Sequence, residues 1–443
     1  MSSLIDSTSF LERAFKLKEH GTSVQTEIVA GMTTFMAMSF IIFVNPAILA
    51  DAGMPKEAAF AATILAAAAG TLFMGLGVNL PIAMAPGMGI NAFFAYTMVL
   101  GMGMSWQTAL GCVVVSGAAF FLLTVTHVRE LIIRAVPLNL KLATVAGIGF
   151  FIAFIGLQGA GVVVNSDATL VTLGDLTAPS CVLSLAGLAI MGALMACRVR
   201  GGLLLGMLAV TVLGMIAGAG PVPRGLDDVV SFDVPSLAPL FLQLDIKGAF
   251  AYGLISVLFT MTMVDLFDSL SSIIGLARKA GFMDENNNIR DLNKVLVADS
   301  CSITAAGLLG SSGTTMYMES ATGIAEGGRT GLTAVVVAVL LLLSLFFAPL
   351  VGVIQGYATS PALVIVGGLM MQELQDIDFK DLSEGVPAFL TIMAMPLTYS
   401  IATGFGVGFI SYVLMKAACG KGREVGLVMW IIAVCFAVNF VLR

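Results

Sequence analysis

The chain has 443 residues, of which 58% are hydrophobic and only 11% charged, with a mean hydropathy of +1.01 and a formal net charge of −6. Such a composition excludes a water-soluble globule and describes a polytopic integral membrane protein. The apolar runs are continuous and about 20 residues long, enough to cross roughly 30 Å of hydrocarbon as helices, which excludes an outer-membrane barrel with its alternating pattern.

Residues 1–25 are polar and carry Arg13, Lys16 and Lys18. They read as a cytoplasmic segment with no cleavable signal peptide, since the first apolar run is long enough to stay in the membrane. Spans are predicted at about 26–50, 57–77, 105–126, 138–159, 181–197 and 202–219, with a broken element near 81–101. The second half yields about 248–276, 292–309, 331–352, 360–375, 385–400 and 402–418, with its own broken element at 312–326. Each half therefore holds seven elements, and a last apolar run at 425–442 lies outside the scheme.

Lys and Arg set the orientation. A cytoplasmic N-terminus places 17 of the 21 basic residues inside, among them Arg129, Arg134, Lys141, Arg198, Arg200, Arg278, Lys279, Arg290, Lys294 and Arg329. The opposite loops are acidic, with Asp167, Asp175, Asp227, Asp228 and Asp233. The halves also resemble each other: IMGALMACRVRGGLLLG from Ile190 and IMAMPLTYSIATGFGVG from Ile392 share glycines at 202/404 and 206/408, a constant offset of 202. With an odd number of elements per half, the second copy is inserted upside down. Inverted repeats with paired interrupted segments mark secondary transporters with a midplane site, unless two glycine-rich runs merely coincide.

In LPIAMAPGMGINAFFAYTMVLG, Pro81 and Pro86 remove backbone donors and Gly87 and Gly89 lower helix propensity, so the run is extended up to about Pro86 and helical after it. GSSGTTMY predicts a second extended lead-in, with a half-helix from about Met318. The blander reading is a pair of kinked spanning helices. Asn91 and Glu319 lie just inside the two half-helix starts and are predicted to reach one small cavity, with Glu319 as its specificity group. In TMTMVDLFDSLSSIIG, Asp265 and Asp268 are three apart and share a helix face. Two carboxylates so close cannot both stay ionised in low dielectric, which suits them to carry a coupling proton; the alternative is a pair of solvated acids near the cytoplasmic end. Asp299 reads as a packing acid bonded to Ser300 or Ser302.

The six cysteines, Cys112, Cys181, Cys197, Cys301, Cys419 and Cys435, form no CxxC pair and read as small core residues. The two histidines, His20 and His127, are far apart, so neither metal nor other cofactor is expected. Phosphate loops, GxSxG and HExxH are lacking, so the protein is expected to be no enzyme, with transport driven by an ion gradient.

FMAMSFIIFVNPAIL, APGMGINAFFAY, VDLFDSL, MESATGIAEGGRTGLTAVVV and YATSPALVIVGGLMMQ resemble the AzgA-like purine permeases of the nucleobase/cation symporter-2 family, from about residue 12 to the C-terminus. The resemblance implies an all-α 7+7 inverted-repeat transporter with two short extended segments in elements 3 and 10. Its core domain would comprise 26–126 and 247–352, and its gate domain 127–246 and 353–443 with the C-terminal hydrophobic segment. It further implies a multi-pass protein of the inner (plasma) membrane, with proton-coupled, alternating-access uptake of adenine, guanine or hypoxanthine. The implied substrate site holds Asn91, Phe93, Asp265, Met318 and Glu319, and Asp265 and Asp268 carry the proton. DSLSSIIG departs from the family pattern, with Ser271 and Ser272 where a Gly-Thr pair is expected, which bears on substrate preference. The expected partners are a purine base, protons and lipid, with no nucleic acid, and a homodimer through the gate domain is compatible. Transport of xanthine, uracil or a small anion on the same architecture stays open, as does a passive channel, although isolated acids on an apolar lining do not make a continuous polar stripe.

Overall fold

The computed structural model describes residues 10–126, 135–251, 254–280, 282 and 291–442. Arg129, Arg134 and Arg290 of the orientation argument lie outside the described residues, as do His127 and the side chains of Arg278 and Lys279.

The first half opens with α1 (Val24–Met38) and α2 (Ile41–Asp51), one 28-residue span tightened at Ser39 and Phe40, followed by α3 (Lys56–Leu72). Next come strand β1 (Met84–Pro86), the short α4 (Met88–Ala92), which widens into π turns over Phe93–Gly101, and α5 (Trp106–Val125). Helix α6 (Leu138–Gly159), an exposed hairpin of β2 (Val163–Ser166) and β3 (Leu170–Leu173), α7 (Pro179–Ala196) and α8 (Gly202–Ile216) complete it.

The second half runs α9 (Ile246–Ala251), α10 (Leu254–Ala280), α11 (Leu292–Leu308), β4 (Thr314–Met316), α12 (Ser320–Ala325) and α13 (Gly331–Leu343). Helices α14 (Leu350–Val353), α15 (Gly356–Met370), α16 (Leu382–Leu397), α17 (Ile401–Ala418) and α18 (Leu427–Leu442) follow. Six helical segments among the described residues are long and apolar enough to cross a membrane, and several shorter apolar helices accompany them.

Packing pairs exchange between the halves. Helix α3 packs on α13 as α11 packs on α5, and α1 packs on α13 as α9 and α10 pack on α5. Likewise α7 packs on α15 as α16 packs on α6, while α6 and α15 pack directly on each other. The glycines of the sequence repeat explain a further equivalent pair, α7 on α8 and α16 on α17. A Cβ at Gly206 of α8 would enter Met191 of α7, and one at Gly408 of α17 would enter Thr391 of α16, so equivalent positions allow equivalent close approach.

Helix α18 lies along α17, where Phe436 meets Phe409 at a centroid distance of 5.8 Å, while Leu427, Ile431, Val434 and Val441 face outward. The cysteine reading needs correction: Cys112 and Cys181 are buried, but Cys197, Cys419 and Cys435 are exposed. A span's outer face meets lipid, so an apolar run need not be core.

Candidate functional site

Two stretches of non-helical backbone meet at the centre of the bundle. β1 and β4 pair antiparallel, with Met84 opposite Met316, Ala85 opposite Thr315 and Pro86 opposite Thr314. Buried extended backbone survives only if its polar groups are satisfied by protein. Side chains from neighbouring helices do this: the Thr71 hydroxyl accepts from Met84 N–H at 2.9 Å and donates to its carbonyl at 3.0 Å. Ser320 Oγ accepts from Ala83 N–H at 3.0 Å, the Tyr317 hydroxyl donates to Pro86 O at 2.8 Å, and Ser302 pairs with Thr314.

A cavity of about 610 Å³ adjoins this crossing. Its inner wall includes Asp268 and Ser272 of α10, Thr315 of β4, and Met318 and Glu319 ahead of α12; α15 supplies Val366 on the far side. Its exposed lining residues include Arg198, Val199, Arg200 and Gln372, which mark its mouth. Arg200 is ion-paired with Glu326 at the end of α12, so a connection between α7 and α8 is tied to a broken element at the rim.

Of the expected site residues, Met318, Glu319 and Asp268 come together in this cavity. Met318 is 41% exposed there and rests over Gly275. Glu319 occupies the N-cap of α12 without a side-chain cap bond, and the residue lines the cavity. Asn91, Phe93 and Asp265 do not line it: all three are fully or almost fully buried behind the wall. Asn91 Oδ1 accepts from Ser312, while its Nδ2 has no protein partner. Asp299 is buried too, but Ser300 donates to Leu296 and Val297 carbonyls and Ser302 is taken by Thr314, so neither serine serves it as expected.

Two features escaped the sequence reading. Glu27 of α1 is fully buried and accepts from the N–H groups of Arg329, Thr330 and Thr333 at 2.8, 3.3 and 3.1 Å, and from the Thr333 hydroxyl at 2.6 Å. The Arg329 guanidinium in turn donates to the Ile324 and Gly328 carbonyls at the end of α12. GGRTGLT is thus the joint that holds the half-helix to α13 and α1. The second feature is an aromatic cluster, none of whose residues lines the cavity. Tyr96, whose hydroxyl donates to Asp51 at 2.8 Å, meets the edge of Tyr399 at 5.9 Å; Tyr399 packs on Phe151 at 5.2 Å and donates to Gln158 at 2.9 Å.

Residues 25–407 match the permease family. This chain belongs to that family. The permease is 48% identical over 432 residues to a protein of Methanocaldococcus jannaschii named only as a permease, covering 98% of each. It is 44% identical to the guanine/hypoxanthine permease PbuO of Bacillus subtilis, covering 96% of this chain and 99% of the relative, and 42% identical to the adenine permease AdeP of Escherichia coli, covering 97% and 96%. Among solved structures it resembles the transmembrane domain of the cyanobacterial bicarbonate transporter BicA, with a TM-score of 0.62, 16% identity and coverage of 86% and 97%. Murine solute carrier 26 family member A9, an anion transporter, gives 0.64 at 11% identity, covering 89% and 68%. The permease therefore has the helical membrane-transporter fold of those proteins.

Proposed function

We propose that this permease takes up a purine nucleobase together with protons, by alternating access. The observation that carries this reading is a cavity lined by both Glu319 and Asp268 beside the strand crossing; in this reading the Tyr96–Tyr399 cluster is the plug that bars the far side. A purine presents ring N–H donors, which a carboxylate accepts, and carbonyl or ring nitrogens, which backbone N–H groups bind. Near-full-length identity to adenine and to guanine/hypoxanthine permeases supports the substrate class.

In this proposal Glu319 and the Met318 backbone engage the base, and Asp265 and Asp268 exchange the proton. Asn91 and Phe93 belong to the layer that shapes the half-helices behind it. The exchanged packing pairs support a 7+7 inverted repeat, with α1–α5 and α9–α14 as the moving core and α6–α8 and α15–α18 as the gate. The mouth carries Arg198 and Arg200, so positive-inside orientation makes it cytoplasmic, with the N-terminus inside and the cavity facing inward.

The anion-transporter fold supports one rival, a small-anion carrier. Right-side-out vesicles separate the two. Labelled hypoxanthine should accumulate, be unaffected by excess sulfate or bicarbonate, and cease to accumulate with a proton uncoupler. Uphill uptake that survives the uncoupler removes proton coupling, and sulfate or bicarbonate uptake without purine uptake removes the nucleobase reading.

A further inference from the structure

We propose that Thr315 is a positioning residue that fixes the carboxyl group of Asp268 at the crossing of the two broken elements. The inference rests on the reading of Asp268 as a proton-carrying group. Thr315 is central in β4, opposite Ala85 of β1, is 2% exposed, and shares the cavity wall with Asp268. Its hydroxyl lies beside the Asp268 carboxyl group, since both approach the same point above Gly87. The backbone of Gly87 closes the third side. A Cβ there would stand 2.8 Å from both Thr315 Oγ1 and Thr315 Cγ2, and 3.1 Å from Asp268 Oδ2, closer than the pair tolerates without moving.

Three separate elements thus converge on one point, where the Thr315 hydroxyl is placed to donate to the Asp268 carboxyl group. The paired strands hold the Thr315 backbone, while Asp268 rides on α10, so the bond ties a spanning helix to the crossing. The ionisable groups around Asp268 are Asp299 of α11, Glu319 and Tyr317 beside β4, and Asp265 one turn back on α10, all acids or a phenol. Thr315 is the neutral donor that offsets their repulsion of the ionised carboxylate. Losing the proton therefore depends on the hydroxyl, and the hydroxyl depends on the strand crossing staying intact. The residue acts through Asp268, not through substrate.

The test compares Thr315→Val, which removes the hydroxyl at nearly constant shape, with Thr315→Ser, which keeps it. In proteoliposomes, Thr315→Val should lower the maximal rate of hypoxanthine uptake about tenfold while changing KM and hypoxanthine binding less than about twofold. The pH of half-maximal uptake should move upward by about one unit, because a donor to the charged form is lost. Thr315→Ser should match the unaltered protein in rate and profile, which a loss of packing alone would not produce. Without any substrate, the infrared carbonyl band of protonated Asp268, identified by its disappearance in Asp268→Asn, should shift in Thr315→Val and stay in place in Thr315→Ser. An unshifted band, an unchanged pH profile, or equal defects in both variants would overturn the positioning role. Failure of the unaltered protein to bind purine while the band shifts would instead sink the nucleobase reading alone.

Discussion

Glu319 sets a carboxylate at membrane depth, where insertion of an acid costs roughly 2.5–3.5 kcal/mol on insertion scales, and the residue lines a cavity. Glu319→Gln turns half of an acceptor into a donor and leaves substrate N–H groups unpaired, a loss of roughly 1–3 kcal/mol. The expected outcome is a ten- to hundredfold weaker hypoxanthine affinity in equilibrium binding to purified protein, with folding unaffected. Retained affinity would remove Glu319 from the site. Glu27 is the opposite kind of acid, fully buried but saturated with four hydrogen bonds. Glu27→Ala should destabilise the protein by roughly 2–4 kcal/mol, since several buried donors lose their partner at once. A thermal-shift assay in detergent should show a lower midpoint than for Glu319→Gln, and equal midpoints would refute that division of roles.

At the scale of elements, the strand crossing and the aromatic plug do complementary jobs. The crossing keeps non-helical backbone satisfied where no water is available, through Thr71, Ser320 and Tyr317. The plug joins the first broken element to the α16–α17 turn, where Tyr399 holds a left-handed φ of 53°. A non-glycine residue held there costs of order 1–3 kcal/mol, which its ring contacts and the Gln158 bond offset. Tyr399→Ala removes those contacts and should open the plugged end. A cysteine in place of Met88 on the cavity wall, in a background lacking the native cysteines, should then be labelled by an impermeant reagent from both sides of the membrane. Labelling from the mouth side alone would show that the plug is not the barrier.

For the whole molecule, packing pairs repeat between the halves, and in the proposed alternating access each half takes the other's role in the opposite state. With the plug intact, the Met88→Cys probe should be labelled chiefly from the mouth side at rest. An inward-to-outward proton gradient reversal, or hypoxanthine added on the plugged side, should shift the ratio. A ratio that never moves would describe a channel-like vestibule or a locked carrier.

The sequence by itself determined the membrane class, the run of apolar helices and the two interruptions. Each of these depends on a residue's own transfer free energy or backbone freedom: the proline-rich lead-in to Met88 is extended whatever surrounds it, and GSSGTTMY leads into a helix beginning one residue after Glu319. Even the glycine offset of 202 survived as paired close contacts. Which side chains share a cavity was decided only by tertiary structure. Asp265 and Asp268 are about 60° apart around a helix, a spacing that permits one common face. Packing of α10 against β4, α4 and α12 sets the cavity edge between them, so Asp268 lines the space and Asp265 is buried. Glu27 was illegible for the same reason. Its partners lie more than 300 residues away, and no local pattern reports a hydrogen bond that exists only once α1 and α13 have packed together.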